Sequence, residues 1–96
     1  MNVYIDIEWV TSFQWDEGCG DRLRQARKRC RWNDGKAPTL KRVAESCGIT
    51  LLSIGKLERG EVQGVQKETL LKVCKTIKCG LEDIFPALLS SNPLDF

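Results

Sequence analysis

The side chains best equipped for chemistry in this chain are cationic. Residues 21–60 hold eleven lysines and arginines against four acids, a local charge of +7. Residues 1–20 hold four acids and no base, so the overall charge of +2 conceals a basic middle. Charge concentrated in this way is an electrostatic footprint for a polyanion, a solvated helix face being the plainer reading. Lys41, Arg42, Lys56 and Arg59 sit closest to the best-defined motif and offer contacts to phosphate, which position a protein without reading sequence. Other chemistry is thin. There is no histidine, the acids are scattered, and no nucleophile has an evident base beside it. No catalytic residue is assigned, and an enzyme is not expected. The five cysteines are odd in number, which argues against a disulfide framework. They form no C-x-x-C pair, so neither a metal site nor a cofactor is expected. Cys47 and Cys74 fall on apolar helical faces and read as core, whereas Cys19 and Cys30 are expected nearer the surface.

The cations need a scaffold, and Thr39–Glu61 supplies one. Thr39 can cap a helix whose apolar face is Leu40, Val43, Ala44 and Cys47. Gly48 ends it where the chain must turn through left-handed space. Ile49 fills the corner, Thr50 can cap a second helix packed through Ile54 and Leu57, and Gly60 stops that helix. Small Ala44 lets the two helices approach closely. A tight helix pair of this kind can present its second helix to the DNA major groove.

Around this pair the chain divides into three. Residues 1–19 read as an extended arm. Val3, Ile5, Ile7 and Trp9 alternate with polar residues as in a β-strand, and no second strand follows to pair with them. That strand either pairs with its copy in another subunit, which makes it the candidate dimerisation element, or lies on the helical core as an extended arm. Thr11 to Gly20 is a connector whose Phe13 and Trp15 dock on the body. Residues 20–86 are the folded domain. It has helices expected at Asp21 to Arg31 and Lys67 to Lys78, the latter with Leu70, Leu71, Val73, Cys74 and Ile77 inward and broken by Gly80. A loop runs from Arg31 to Pro38, Glu61 to Gln66 is a short link, and one further turn follows at Leu81 to Phe85. Residues 87–96 are a tail. No apolar run has the length of a membrane span and no secretory leader is evident, so a cytoplasmic protein is expected.

Residues 20–86 resemble the lambda-repressor-like, Cro-type (Xre-type) helix-turn-helix family. The resemblance rests on Leu23 and Arg27, on Ala44, Gly48, Ile49, Ile54, Leu57, Glu58 and Gly60, and on the segment Lys67 to Pro86. It implies an all-α domain of four to five helices, here with an N-terminal β-strand arm. It also implies a small, dimeric, sequence-preferring regulator of transcription on double-stranded DNA, commonly a repressor. The family's arginine–glutamate pair corresponds to Arg27 and Glu58, expected to be structural. The positions that would meet DNA are Thr39, Lys41, Arg42, Thr50, Leu51, Leu52, Gly55, Lys56 and Arg59. Two departures stand out. The loop before Thr39 is longer than the family's usual turn, and Leu40 stands where glutamine is common. Leu51 and Leu52 also occupy base-reading positions, where leucine offers only apolar contact such as with a thymine methyl. A protein-interaction module on the same fold, such as an antitoxin-like binder of a protein partner, is the alternative reading.

Overall fold

Asp16 starts the first helix. Its backbone is extended and its carboxylate accepts the Cys19 N–H at 2.9 Å, the geometry of an N-cap. Helix α1 therefore runs Glu17–Arg29, beginning four residues before the Asp21 start expected from sequence. Gly18 and Gly20, within the stretch expected to be a connector, lie inside it. The computed structural model describes residues 11–86. After α1 the chain makes a turn in which Gly35, at φ 74°, donates its N–H to the Trp32 carbonyl at 2.8 Å. The Trp32 indole N–H reaches the Thr76 carbonyl at 3.1 Å, which pins this long loop to the body.

Helices α2 (Leu40–Cys47) and α3 (Leu51–Arg59) form as the residue spacing predicts. Thr39 Oγ1 accepts the Arg42 N–H and Thr50 Oγ1 accepts the Ser53 N–H. Gly48 and Gly60 close the two helices in left-handed backbone, at φ 75° and 71°.

The chain's described strands are not where the alternation placed one. The strand expected over residues 2–10, with Val3, Ile5, Ile7 and Trp9, lies outside the described residues. Instead β1 (Ser12–Gln14) pairs antiparallel with β2 (Gly64–Gln66), in the register Ser12↔Gln66, Phe13↔Val65, Gln14↔Gly64. The presumed connector and the presumed link are thus partners of one ladder. Bonds from Trp15 N to Gln63 O and from Lys67 N to Thr11 O extend it at both ends. Each strand has three residues, too few for alternation to show in the sequence.

Helix α4 (Lys67–Thr76) and the short α5 (Leu81–Ile84) complete the fold. Lys78, not Gly80, takes the left-handed conformation after α4, at φ 58°. Gly80 instead begins α5, its N–H bonded to Asp83 Oδ2 at 2.9 Å. Leu71, expected inward, is 40% exposed. The core consists of Leu23, Val43, Ile54, Leu70, Val73, Ile77 and Ile84 among others, each essentially removed from solvent. Each such side chain contributes roughly 1.5–3 kcal/mol through burial. Trp15 and Cys19 belong to the same core. Cys19 and Cys30 are buried at 5% and 6% exposure, contrary to their expected surface position, because both continue the buried stripe of Leu23 and Ala26 along α1.

Candidate nucleic-acid interface

Helix α3 is held from four directions. Ile54 and Leu57 are buried beneath it. Gly20 of α1 meets its backbone so closely that an added Cβ would lie 2.5–2.6 Å from the Leu57 and Glu58 carbonyl oxygens. Trp15 donates its indole N–H to the Leu57 carbonyl at 2.8 Å, a second bond to an oxygen in the last turn that also accepts the Gly60 N–H at 3.1 Å. Arg27 and Glu58 form a two-pronged ion pair, with Nε–Oε2 at 2.6 Å and Nη2–Oε1 at 3.0 Å. The same guanidinium donates to the Pro38 carbonyl at 3.0 Å. One side chain of α1 thereby fixes both α3 and the approach to α2. The sequence has Trp15 docking on the body, but neither its bond to α3 nor the role of Gly20 was expected. Their only signals were an aromatic residue in an apparently unstructured stretch and a glycine in an otherwise helical one.

At 100° per residue, Leu51, Leu52, Gly55, Lys56 and Arg59 share the side of α3 opposite Ile54 and Leu57. Leu51 is 50% and Leu52 64% exposed, and Lys56 is exposed too. Gly55 is not open as expected. The Arg59 side chain folds over it, with Nη1 3.1 Å from where a Cβ would be, and Gly55 is buried. Arg59 is further tied to Glu61 Oε2 at 2.9 Å, which holds the Glu61 carboxyl below its usual value.

The remaining expected contacts divide by what already occupies them. Thr39 and Thr50 are exposed, but their hydroxyls serve as helix caps; the Thr50 hydroxyl also donates to Ser53 Oγ at 2.8 Å. Arg42 pairs with Asp34 at 2.7 Å and stacks over Trp32, 4.7 Å from the ring centroid. The Lys36 backbone N–H and the Arg42 guanidinium hold the Asp34 carboxyl below the usual carboxylate range. The long loop thus braces Arg42. Lys41 and Lys56 are exposed and make no ion pair among the described residues. Leu40 packs partly buried against the core, so the position where the family often has glutamine is turned inward. On α1, Arg22 donates to the Ile84 carbonyl at 2.6 Å and belongs to the scaffold.

The result is a rigid helix with an exposed side made of two leucines, one unpaired lysine and one arginine paired at its far end. It offers cationic and apolar contacts and few hydrogen-bonding groups for base edges. None of the described helices is long and apolar enough to cross a membrane.

Comparison with known proteins agrees with this geometry. The family of the Cro/C1-type HTH DNA-binding domain matches residues 34–87. Two crystal structures of the clp gene regulator ClgR from Corynebacterium glutamicum are similar in fold. One is 27% identical, with a TM-score of 0.59, and the match covers 78% of this chain and 87% of that one. The other is 28% identical, with a TM-score of 0.60, and covers 82% and 77% respectively. No curated protein sequence matches the chain significantly.

Proposed function

Because the chain belongs to the Cro/C1-type HTH DNA-binding domain family, we propose that it is a small transcriptional repressor that binds double-stranded DNA as a homodimer. The observation that carries this reading is the α3 geometry: the helix is braced on its inner side and left open on its outer side, with Leu51, Leu52 and Lys56 exposed. Gene regulation is also the role named for the two similar Corynebacterium structures. In this reading α3 enters the major groove. Lys56 reaches guanine O6 or N7, and Leu51 and Leu52 touch thymine methyls. Lys41 neutralises phosphate, while Arg42 and Arg59 do so after exchanging their intramolecular carboxylates for DNA. Base-edge hydrogen bonds are few, so DNA shape and deformability contribute to site choice.

The test is a paired charge reversal, Lys41→Glu with Lys56→Glu. Both side chains are exposed and unpaired among the described residues, so the fold is expected to stay intact. Duplex affinity in a fluorescence-anisotropy titration should fall at least about tenfold, as two favourable phosphate or base contacts become repulsive. Unchanged affinity would remove α2 and α3 from the interface.

Two copies would read half-sites about 34 Å apart, one helical turn. We place the dimer contact at residues 2–10, where Val3, Ile5, Ile7 and Trp9 alternate with polar residues in the sequence and which lie outside the described residues. Removing residues 1–10 spares β1 and the Asp16 cap, so the domain should persist as a monomer in sedimentation analysis. A truncated chain that still sediments as a dimer would place the dimer contact elsewhere.

The exposed Leu51–Leu52 pair supports one other reading, in which the outer side of α3 docks a protein partner. Its signature is a doubly reversed variant that loses no DNA affinity, while Leu51→Asp abolishes binding to that partner.

A further inference from the structure

The C-terminus of α4 carries two thiols that DNA binding does not use. The helix closes with a bond from Cys79 N to Cys74 O at 2.9 Å and another from Lys78 N to Lys75 O at 3.3 Å. Lys78 between them is left-handed. This pair of bonds is the Schellman motif, in which the side chain just past the cap packs against one in the last turn of the helix. That contact is ordinarily apolar. Here both members are cysteines, Cys74 in the last turn of the helix and Cys79 just past its cap.

Their surroundings differ. Cys74 is 3% exposed and part of the core. Cys79 is half-buried and lines a hollow of about 320 Å³ together with Arg29, Lys78 and Asp83. The neighbouring Cys74 thiol and the nearby Arg29 guanidinium favour a thiolate at Cys79; burial and the carboxylates of Asp83 and Glu82 oppose it, and the net effect holds the thiol below its usual value. The neighbouring Cys79 sulfur, with burial, pushes the Cys74 thiol up. An accessible sulfur that ionises more readily therefore lies against a sheltered one that keeps its proton.

We propose that Cys74 and Cys79 form a dithiol site that takes a hydroperoxide and closes to an intramolecular disulfide. The Cys79 thiolate attacks the peroxide; an S–O bond forms, the O–O bond breaks, and the leaving oxygen takes the former thiol proton. Cys79 is now a sulfenic acid and the peroxide is reduced to water or an alcohol. The Cys74 sulfur then attacks Cys79 Sγ. The S–S bond forms as the S–O bond breaks, and hydroxide leaves as water with the Cys74 proton. A disulfide requires neighbouring side chains, and the Schellman closure sets these two positions side by side. Cys30 lines the same hollow and is the competing partner.

The test uses the full, fully reduced chain and stoichiometric hydrogen peroxide, followed by alkylation under denaturing conditions, trypsin digestion and mass spectrometry. The expected product has lost two hydrogens and two of its alkylatable thiols. Its cross-linked peptides are Val73–Lys75 and the peptide beginning at Cys79, and a dithiol reductant reverses the change. Cys30→Ser should leave the product unchanged. Cys74→Ser should stop the reaction at a sulfenic acid on Cys79 that dimedone traps, which keeps the test valid even if Cys79→Ser fails to fold. A Cys30–Cys79 link, irreversible oxidation of Cys79 in the intact chain, or five thiols still alkylatable would each overturn the proposal.

Discussion

Arg27 does more than any other single side chain to set the pose of α3. Its guanidinium holds both oxygens of Glu58 and the carbonyl of Pro38, so α1, α3 and the chain leading into α2 share one anchor. The pair is largely removed from water, with the two side chains 14% and 6% exposed. Removing one partner strands a charge in a poorly solvated place. Arg27→Met should lower unfolding stability by about 3 kcal/mol, whereas Arg27→Met with Glu58→Leu should cost clearly less because no charge is left alone. Urea unfolding of the two variants checks this, and a double variant as unstable as the single would show that the loss comes from packing. The family resemblance, not residue types and spacing alone, brought Arg27 and Glu58 forward. Residue types and spacing marked Trp15 as docking on the body but could not show that its indole N–H reaches the end of α3 from a segment without visible periodicity. Nor could they show that Arg59 lies over Gly55.

The helices differ in how openly the sequence announces them. Helices α2 and α3 were legible because each has a threonine cap, an apolar face and a closing glycine in register. The start of α1 was hidden by Gly18 and Gly20. Gly20 is in the helix because α3 leaves no space for a side chain there, a tertiary reason that overrides local propensity. Strand β2 was hidden because Val65 is its only buried residue. The Asp16 cap gives the start of α1 a pH dependence. Its carboxyl is held below the ordinary 3.8, chiefly by the Cys19 backbone N–H. A folded pKa below the unfolded one means that the stabilisation is complete above 3.8 and disappears as pH falls through the folded value. Asp16→Ala should therefore melt below the wild type at pH 7, and the gap should narrow as pH drops below 3.8. Thermal melts followed by circular dichroism would check this; a gap that does not change with pH would mean the carboxylate charge is not what caps the helix.

For the whole molecule, the distribution of charge bears on function more than the net value does. An acidic N-terminal segment precedes a basic middle, and that middle holds α1, the bracing loop, α2 and α3. Much of the positive charge is already engaged by the fold: Arg22 with Ile84, Arg27 with Glu58, Arg42 with Asp34 and Arg59 with Glu61. The cations free to meet DNA are accordingly fewer than composition suggests. The measurement that tests the account most directly is selection of the purified chain on random-sequence duplex DNA, with sequencing of the bound fraction at two salt concentrations. It should enrich a palindromic site with half-sites about one helical turn apart. Affinity for that site should drop at least about tenfold between roughly 50 and 200 mM salt. Binding without an enriched sequence would contradict base reading by α3, and no binding even at low salt would contradict the DNA-regulator assignment itself.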